Sequence, residues 1–392
     1  MLTAQGLKDA AIEKAGLRDF GETFSGEALE AWVEDLNHPR LNDFGQSALA
    51  SLMVGDLARR LQVTRCLEQN PQIEEVELPT LLYISGLERT GTTFLHNLLS
   101  LHPKSRPLLR WELMRPVPPP EAGTYRDDPR IARTQASIDK QRGTLLEQMH
   151  WVDADDPEEC QWGMLDGSSP LGGSAFSIMP TWGKWMEQRN PVAGFREYRR
   201  LMKLLLWKNP VPAGGHLVLK CPQFAGMLSP FAKVFPEARF ILTHRDPYRT
   251  IVSVCTLISG ILTPFMSDPS TLQRSPYLPD CSIDRAEAHM AAMATFCEGD
   301  HAISNVAYPN LVRDPIATVQ TIYESLGVDA PSDLTNKINA FETAQRAGKR
   351  AKPPQVLPDF GLEHDAFLAR SRIADYCHQF RIVPERKRQT GA

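Results

Sequence analysis

The segment Pro79-Thr-Leu-Leu-Tyr-Ile-Ser-Gly86, followed by Leu-Glu-Arg-Thr-Gly-Thr-Thr-Phe94, constrains the fold more than any other part of the chain. Its apolar run is short and bounded by Pro and Gly, which is how a strand buried on both faces of a parallel sheet reads. A helix is predicted to follow from about Thr92 to Leu101, stopped before Pro103. In the loop between them, successive backbone N–H groups and the positive end of the helix are placed to cradle an anion. Gly86 and Gly91 have the G-x-x-x-x-G spacing of a nucleotide P-loop, but Thr92 stands where that loop carries its lysine. The clamp on β- and γ-phosphates is therefore missing. Arg89 instead puts a permanent cation inside the loop, which suits a ligand with one 5′-phosphate ester better than a triphosphate. A plain Gly-Thr helix cap with an exposed Arg is the competing reading of the same residues.

Two further short apolar runs, His216–Lys220 and Arg239–Thr243, are separated by a helical stretch with Phe231, Val234 and Phe235. Strand, helix and strand in alternation predict βαβ units. The expected fold is thus α/β: a P-loop-like three-layer architecture with a central parallel sheet. The first 75 or so residues carry apolar positions at helical spacing, such as Leu29, Trp32, Val33 and Leu36, then Leu49, Leu52, Met53, Leu57 and Leu61. We expect a helical N-terminal extension over residues 1–76 and a main domain over 77–392, with a helical insertion at about 104–212. Part of the insertion, Arg115-Pro-Val-Pro-Pro-Pro120, is a stiff extended linker. The stretch from Trp151 to Trp207 holds five of the seven tryptophans, Trp151, Trp162, Trp182, Trp185 and Trp207. Near the end, Ile316, Val319, Ile322, Tyr323 and Leu326 predict a helix closed by Gly327.

With 43 Lys plus Arg against 47 Asp plus Glu, the formal charge of −4 supplies no global field to hold a nucleic acid. Any anion site must be local. Seven cysteines without a Cys-x-x-Cys pair argue against a disulfide framework or a zinc site and for reduced thiols. The N-terminus lacks a basic region followed by an apolar run, and the weakly charged stretch Gly167–Gly183 is too short and polar to cross a bilayer. A soluble, cytoplasmic protein without a membrane span is the expectation, and a homodimer is compatible with it.

Taken together, two motifs resemble those of sulfotransferases. Glu88-Arg-Thr-Gly-Thr-Thr93 resembles the family's 5′-phosphosulfate loop. His244-Arg-Asp-Pro-Tyr-Arg-Thr-Ile-Val-Ser253 resembles its 3′-phosphate motif, an Arg followed eight residues later by a Ser. Tyr308-Pro-Asn-Leu-Val-Arg-Asp-Pro315 resembles the segment that contributes an adenine-contacting Tyr. The resemblance covers roughly residues 80 to 326 and is nearest to a bacterial branch that also resembles tyrosylprotein sulfotransferases. It implies 3′-phosphoadenosine-5′-phosphosulfate as co-substrate, no metal, and a small-molecule acceptor. Arg89, Thr90, Gly91, Thr92 and Thr93 would then hold the 5′ end, and Arg245 with Ser253 the 3′-phosphate. Phe94 and Tyr308 would contact the adenine, though Phe94 equally suits a core-facing helix position.

The resemblance also implies cations at the leaving oxygen and a base for the acceptor proton. Arg89, where many relatives have Lys, and Lys220, in a Lys-x-Pro pattern, are the cations. For the base, His150 resembles a base position in some bacterial relatives, and His is suited to neutral pH. Glu158 or Glu159 would orient that imidazole or act as the base, while Glu112 lies about where tyrosylprotein sulfotransferases place a catalytic Glu. Bacterial relatives often have His where Phe224 stands, so no second histidine is expected there. The tryptophans of the insertion suggest an apolar acceptor, such as a phenol, a sterol-like alcohol or a lipid alcohol, with core packing as their alternative role. A P-loop kinase of a small molecule and a non-catalytic nucleotide-binding protein remain as alternatives.

Overall fold

The computed structural model describes residues 1–24, 26–140, 152–168, 176–274, 277–347 and 360–385. Among these, the strands β1 (Leu81–Gly86), β2 (Ser105–Pro107), β3 (His216–Lys220), β4 (Ala238–His244) and β5 (Ile303–Ala307) form one parallel sheet in the order β2-β3-β1-β4-β5. The central strand β1 is buried at every residue, as its unbroken apolar run requires. Leu81 pairs with Leu217 on one side and Ala238 on the other, and Gly86 lies opposite Thr243.

Alternate residues of the strands feed two apolar layers. Leu81, Tyr83, Leu217, Leu219, Phe240 and Leu242 belong to one, with the ring of Tyr83 stacked on Phe231 at 4.1 Å. Leu82, Ile84, Val218 and Ile241 belong to the other, with Leu95, Leu98 and Leu99 from the helix Thr92–Ser100 and Val319 and Ile322 from the helix Pro315–Leu326. The three-layer α/β expectation is met. The edge strands β2 and β5 escape the sequence reading for a physical reason. β2 is three residues ending at Pro107, and β5 carries Ser304 and Asn305 in its middle, so neither makes an apolar run.

The N-terminal residues form the helices Ala4–Ala15, Glu27–Leu36 and Asp43–Gln69. Thr3 and Asn42 start the first and third by accepting the N–H of Gly6 and Gly45. Leu29, Trp32, Leu36, Leu49, Met53, Leu57 and Leu61 are buried in the same apolar layer as Tyr83. Trp32 meets Trp182 edge to face at 5.2 Å, and the Trp182 N–H donates to Asp35 at 2.9 Å. Burial raises the Asp35 carboxyl above its ordinary range. Arg60 closes the arrangement with a bidentate pair to Glu197 of the helix Pro191–Trp207, at 2.6 and 2.8 Å.

That pair is nearly dry, so losing one partner leaves a buried charge. Arg60→Ala is expected to lower stability by about 3–5 kcal/mol, read as a lower urea midpoint at unchanged m-value. The double variant Arg60→Met with Glu197→Leu should recover much of the loss.

Burial lowers His96 to about 3 and His216, His244 and His289 to about 4. The unfolded chain titrates these groups near the ordinary histidine value, so between that value and about 4 it binds more protons than the folded chain. Stability is therefore expected to be full above about pH 6.5 and to fall as the pH drops through this window. Urea midpoints measured at stepped pH test this, and a midpoint that stays flat over the window would contradict it.

Candidate active site

β1 delivers the phosphate loop, and the loop's shape is set by contacts with β4. Gly86 has φ 136°, and a Cβ there would lie 2.5 Å from the Thr243 carbonyl oxygen. No side chain fits that position. Gly91 has φ 89°, and a Cβ there would press on the Tyr308 ring at 3.0 Å. Thr90 is fully buried and donates to the Leu87 carbonyl at 2.6 Å, with its hydroxyl 2.5 Å from that of Thr243. The Thr90 side chain therefore locks the loop to β4 and does not line the cleft, in contrast to the ligand contact expected of it. Arg89 takes φ 68°, a left-handed conformation rare for a residue with a Cβ.

β4 delivers Arg245 to the same place. The Arg245 guanidinium donates Nη1–H to the Arg89 carbonyl oxygen at 3.1 Å and lies over the Tyr308 ring at 4.1 Å. The Arg89 side chain donates Nε–H to the Ser253 hydroxyl at 3.1 Å. Thus Arg89, Arg245, Ser253 and Tyr308, from three separate stretches of sequence, come together at the carboxyl end of the sheet, where open α/β sheets bind ligands. Burial, and then the neighbouring charge of Arg245, lower the pKa of Arg89. Two cations held this close favour an anion between or beside them.

These residues open into a cleft of about 1510 Å³. Thr92, Thr93 and Phe94 line it at the start of the helix Thr92–Ser100, where backbone N–H groups are unpaired within the helix. The Phe94 ring also approaches Phe341 at 6.3 Å, so it serves core and cleft together. Lys220, at the end of β3, is buried with its ammonium 2.5 Å from the Glu159 carboxylate and 3.3 Å from the Thr93 hydroxyl. Glu159 lines the cleft. The loop is braced on its other side by an ion pair of Glu88 with Arg285 at 3.0 Å.

Other candidates lie elsewhere. Glu112 is fully buried and meets Arg106 with both oxygens at 2.7 Å, the Leu109 N–H at 2.7 Å and the Tyr125 hydroxyl at 2.8 Å. With its lone pairs committed it does not line the cleft, and the register that suggested it as a base fails. Glu158 is held by Arg110 at 2.6 Å and accepts the Glu159 N–H at 2.8 Å, which aims the next residue instead. His150 and Trp151 lie outside the described residues.

The tryptophans also divide differently from expectation. Trp162 lines the cleft beneath the Arg110 guanidinium at 4.7 Å, but Trp182 is core, and Trp185 and Trp207 pack partly buried against that core. Large aromatics of the insertion are needed to seal the helices Pro180–Gln188 and Pro191–Trp207 onto the N-terminal helices. The apolar wall of the cleft comes instead from Val254, Leu257, Ile258 and Ile261 of the helix Pro247–Leu262, joined by Leu52 and Phe265. Their spacing of three and four residues was legible as one helix face. This stretch, Pro247–Phe265, is also the one helix among the described residues long and apolar enough to cross a membrane. Its first half meets the phosphate loop through Ser253, and its second half turns apolar side chains to the cleft. No group of three or more His, Cys, Asp and Glu side chains is arranged to hold a metal among the described residues, and all seven cysteines are free thiols.

A family model of sulfotransferases matches residues 80–332, well over half of the chain, and the chain belongs to this family. It is an enzyme that transfers sulfuryl groups, and the kinase and the non-catalytic binding protein are set aside. The fold is similar to that of the sulfotransferase STF9 from Mycobacterium avium, with a TM-score of 0.85 and 25% identity over 98% of each chain. It is also similar to that of the sulfotransferase STF1 from Mycobacterium tuberculosis H37Rv, with a TM-score of 0.79 and 22% identity over 95% of this chain and 99% of that one. No curated protein sequence matches the chain.

The loop geometry carries its own test. Gly86→Ala places a methyl against the Thr243 carbonyl and is expected to destabilise the protein by several kcal/mol, seen as a fall in Tm. Gly123→Ala serves as the comparison, because its backbone is not left-handed and its Cβ would meet nothing within 4 Å. An equal effect at both positions would remove the role given to the β1–β4 contact.

Proposed function

We propose that the enzyme transfers the sulfuryl group of 3′-phosphoadenosine-5′-phosphosulfate to the hydroxyl of a small, largely apolar acceptor. The observation that carries the donor assignment is the meeting of Arg89 and Arg245 at 3.1 Å through the Arg89 carbonyl, with Thr92 in place of the P-loop lysine. Arg89 is then assigned to the 5′-phosphosulfate and Arg245 to the 3′-phosphate, with the Ser253 hydroxyl beside them. Tyr308 and Phe94 line the cleft for the adenine. The loop N–H groups and the helix start stabilise charge at the 5′-phosphate.

In the reaction, the acceptor oxygen forms the new S–O bond as the bond from sulfur to the 5′-phosphate oxygen breaks, and the bisphosphate leaves with the electron pair. Lys220, beneath Thr93, is the cation for that leaving oxygen. Glu159 is the carboxylate that takes the acceptor proton. Its pairing with Lys220 links the two events, because negative charge growing on the leaving oxygen competes for the ammonium that restrains the carboxylate. The apolar acceptor is supported by the wall of Val254, Leu257, Ile258 and Ile261 beyond the loop.

Three measurements test this reading. Calorimetric binding of 3′-phosphoadenosine-5′-phosphate should be tight without metal and should weaken at least tenfold in Arg245→Ala; indifference to that substitution would discard the donor assignment. Glu159→Gln should reduce single-turnover transfer by ~10²–10⁴-fold while leaving bisphosphate affinity within a factor of two or three. His150 stands as the other candidate base, so a large loss in His150→Ala with little in Glu159→Gln would transfer the role to the histidine. Finally, Leu257→Asp should raise KM for phenolic or lipid-alcohol acceptors by at least tenfold with donor KM unchanged.

A further inference from the structure

The C-terminal segment returns to the donor loop and places a carboxylate on its key arginine. The path is fixed by the helix Ser371–Gln379, whose Tyr376 hydroxyl meets His244 Nδ1 at 2.8 Å, and by Phe380, stacked on the His244 ring at 4.1 Å. The chain then reaches Glu385, whose backbone N–H donates to Asp246 at 2.8 Å. Its carboxylate accepts Arg245 Nε–H at 2.6 Å and Nη2–H at 3.1 Å. This is the side-on, two-bond geometry by which a guanidinium also takes a phosphate.

Arg245 thus has both N–H groups of one edge committed to Glu385 and a third to the Arg89 carbonyl. The pair is reachable by water, with 20% of the Arg245 and 30% of the Glu385 side chain exposed. It therefore differs from the closed pair of Arg106 with Glu112, at 7% and 0%. A carboxylate at this position opposes a phosphate dianion in two ways: it holds the donor groups the phosphate needs, and it repels the phosphate's charge. Because the segment is tethered at Asp246 and His244, the competing carboxylate is present at high effective concentration.

We propose that Glu385 is an internal stand-in for the 3′-phosphate, occupying Arg245 in the free enzyme and yielding it when donor binds. The inference rests on the assignment of Arg245 to the 3′-phosphate. Donor and spent donor carry the same 3′-phosphate, so Glu385 weakens both alike and speeds departure of the bisphosphate after transfer. No bond is made or broken; one anion replaces another on one guanidinium.

The test is calorimetric binding of 3′-phosphoadenosine-5′-phosphate and of adenosine-5′-phosphate, which lacks the 3′ group, to the wild type, Glu385→Gln and Glu385→Ala. The bisphosphate is expected to bind about tenfold more tightly to both variants, with the monophosphate unchanged. Bisphosphate affinity that is unchanged or lower in both variants would reduce Glu385 to a support for Arg245 and overturn the inference alone. Equal tightening of both nucleotides would also overturn it, because the effect would not lie at the 3′-phosphate. If neither the wild type nor the variants bind the bisphosphate, the donor assignment fails and this inference falls with it.

Discussion

The parallel pairing of β1 with β4 is the constraint on which the rest of the site depends. It sets Gly86 opposite Thr243, where the absence of a side chain lets the two backbones approach, and it brings Thr90 within reach of the Thr243 hydroxyl. With the loop pinned there, the next residues of each strand connection can only emerge side by side. Arg89 and Arg245 are those residues. Their mutual repulsion, together with burial, disfavours the charge on Arg89, and the surrounding polar groups offset only part of that cost. On the proposed reading, an anionic donor bound beside these two guanidinium groups would relieve that repulsion.

A second consequence is that the helix Pro247–Leu262 meets the phosphate loop at one end and lines the cleft at the other. Asp246 caps its first turn by accepting the Tyr248 N–H, Ser253 faces the loop, and the residues from Val254 onward present an apolar face to the cleft. On the proposed reading, one rigid element would hold the donor and acceptor regions at a fixed separation, which favours alignment of the reacting atoms. The acidic residues near the cleft are sorted by the same logic of pairing. Glu112 and Glu158 are consumed by Arg106 and Arg110, while Glu159 faces the cleft and is bound to Lys220. Glu159 is thus the one of these three carboxylates that lines the cleft, which is why the proposed mechanism assigns it the acceptor proton.

Much of the fold was legible in short stretches. The apolar run of β1, the glycine spacing of its loop and the helix after it are local patterns, and the sheet requires them in that form. β3 and β4 were legible for the same reason, whereas β2 and β5, at the edges, lack the two-sided burial that produces such runs. At the site, Arg89, Arg245, Ser253, Tyr308 and Lys220 were marked by motif, whereas Glu159 was named only beside Glu158, and it is the fold that separates the two. The tryptophans misled because a large aromatic reads alike whether it seals a core, as Trp182 does, or lines a cleft, as Trp162 does.

By itself, the sequence determined the central strands, the phosphate loop with the helix after it and the absence of a P-loop lysine, since each is carried by residues adjacent in the chain. Only the tertiary structure decided which charges pair. Glu385 reaches Arg245 across 140 residues, Arg60 reaches Glu197 across 137, and Lys220 reaches Glu159 across 61. No local pattern records these partners, because a charge is satisfied by whatever group packing brings within about 3 Å, and that is a property of the folded layers rather than of neighbouring residues.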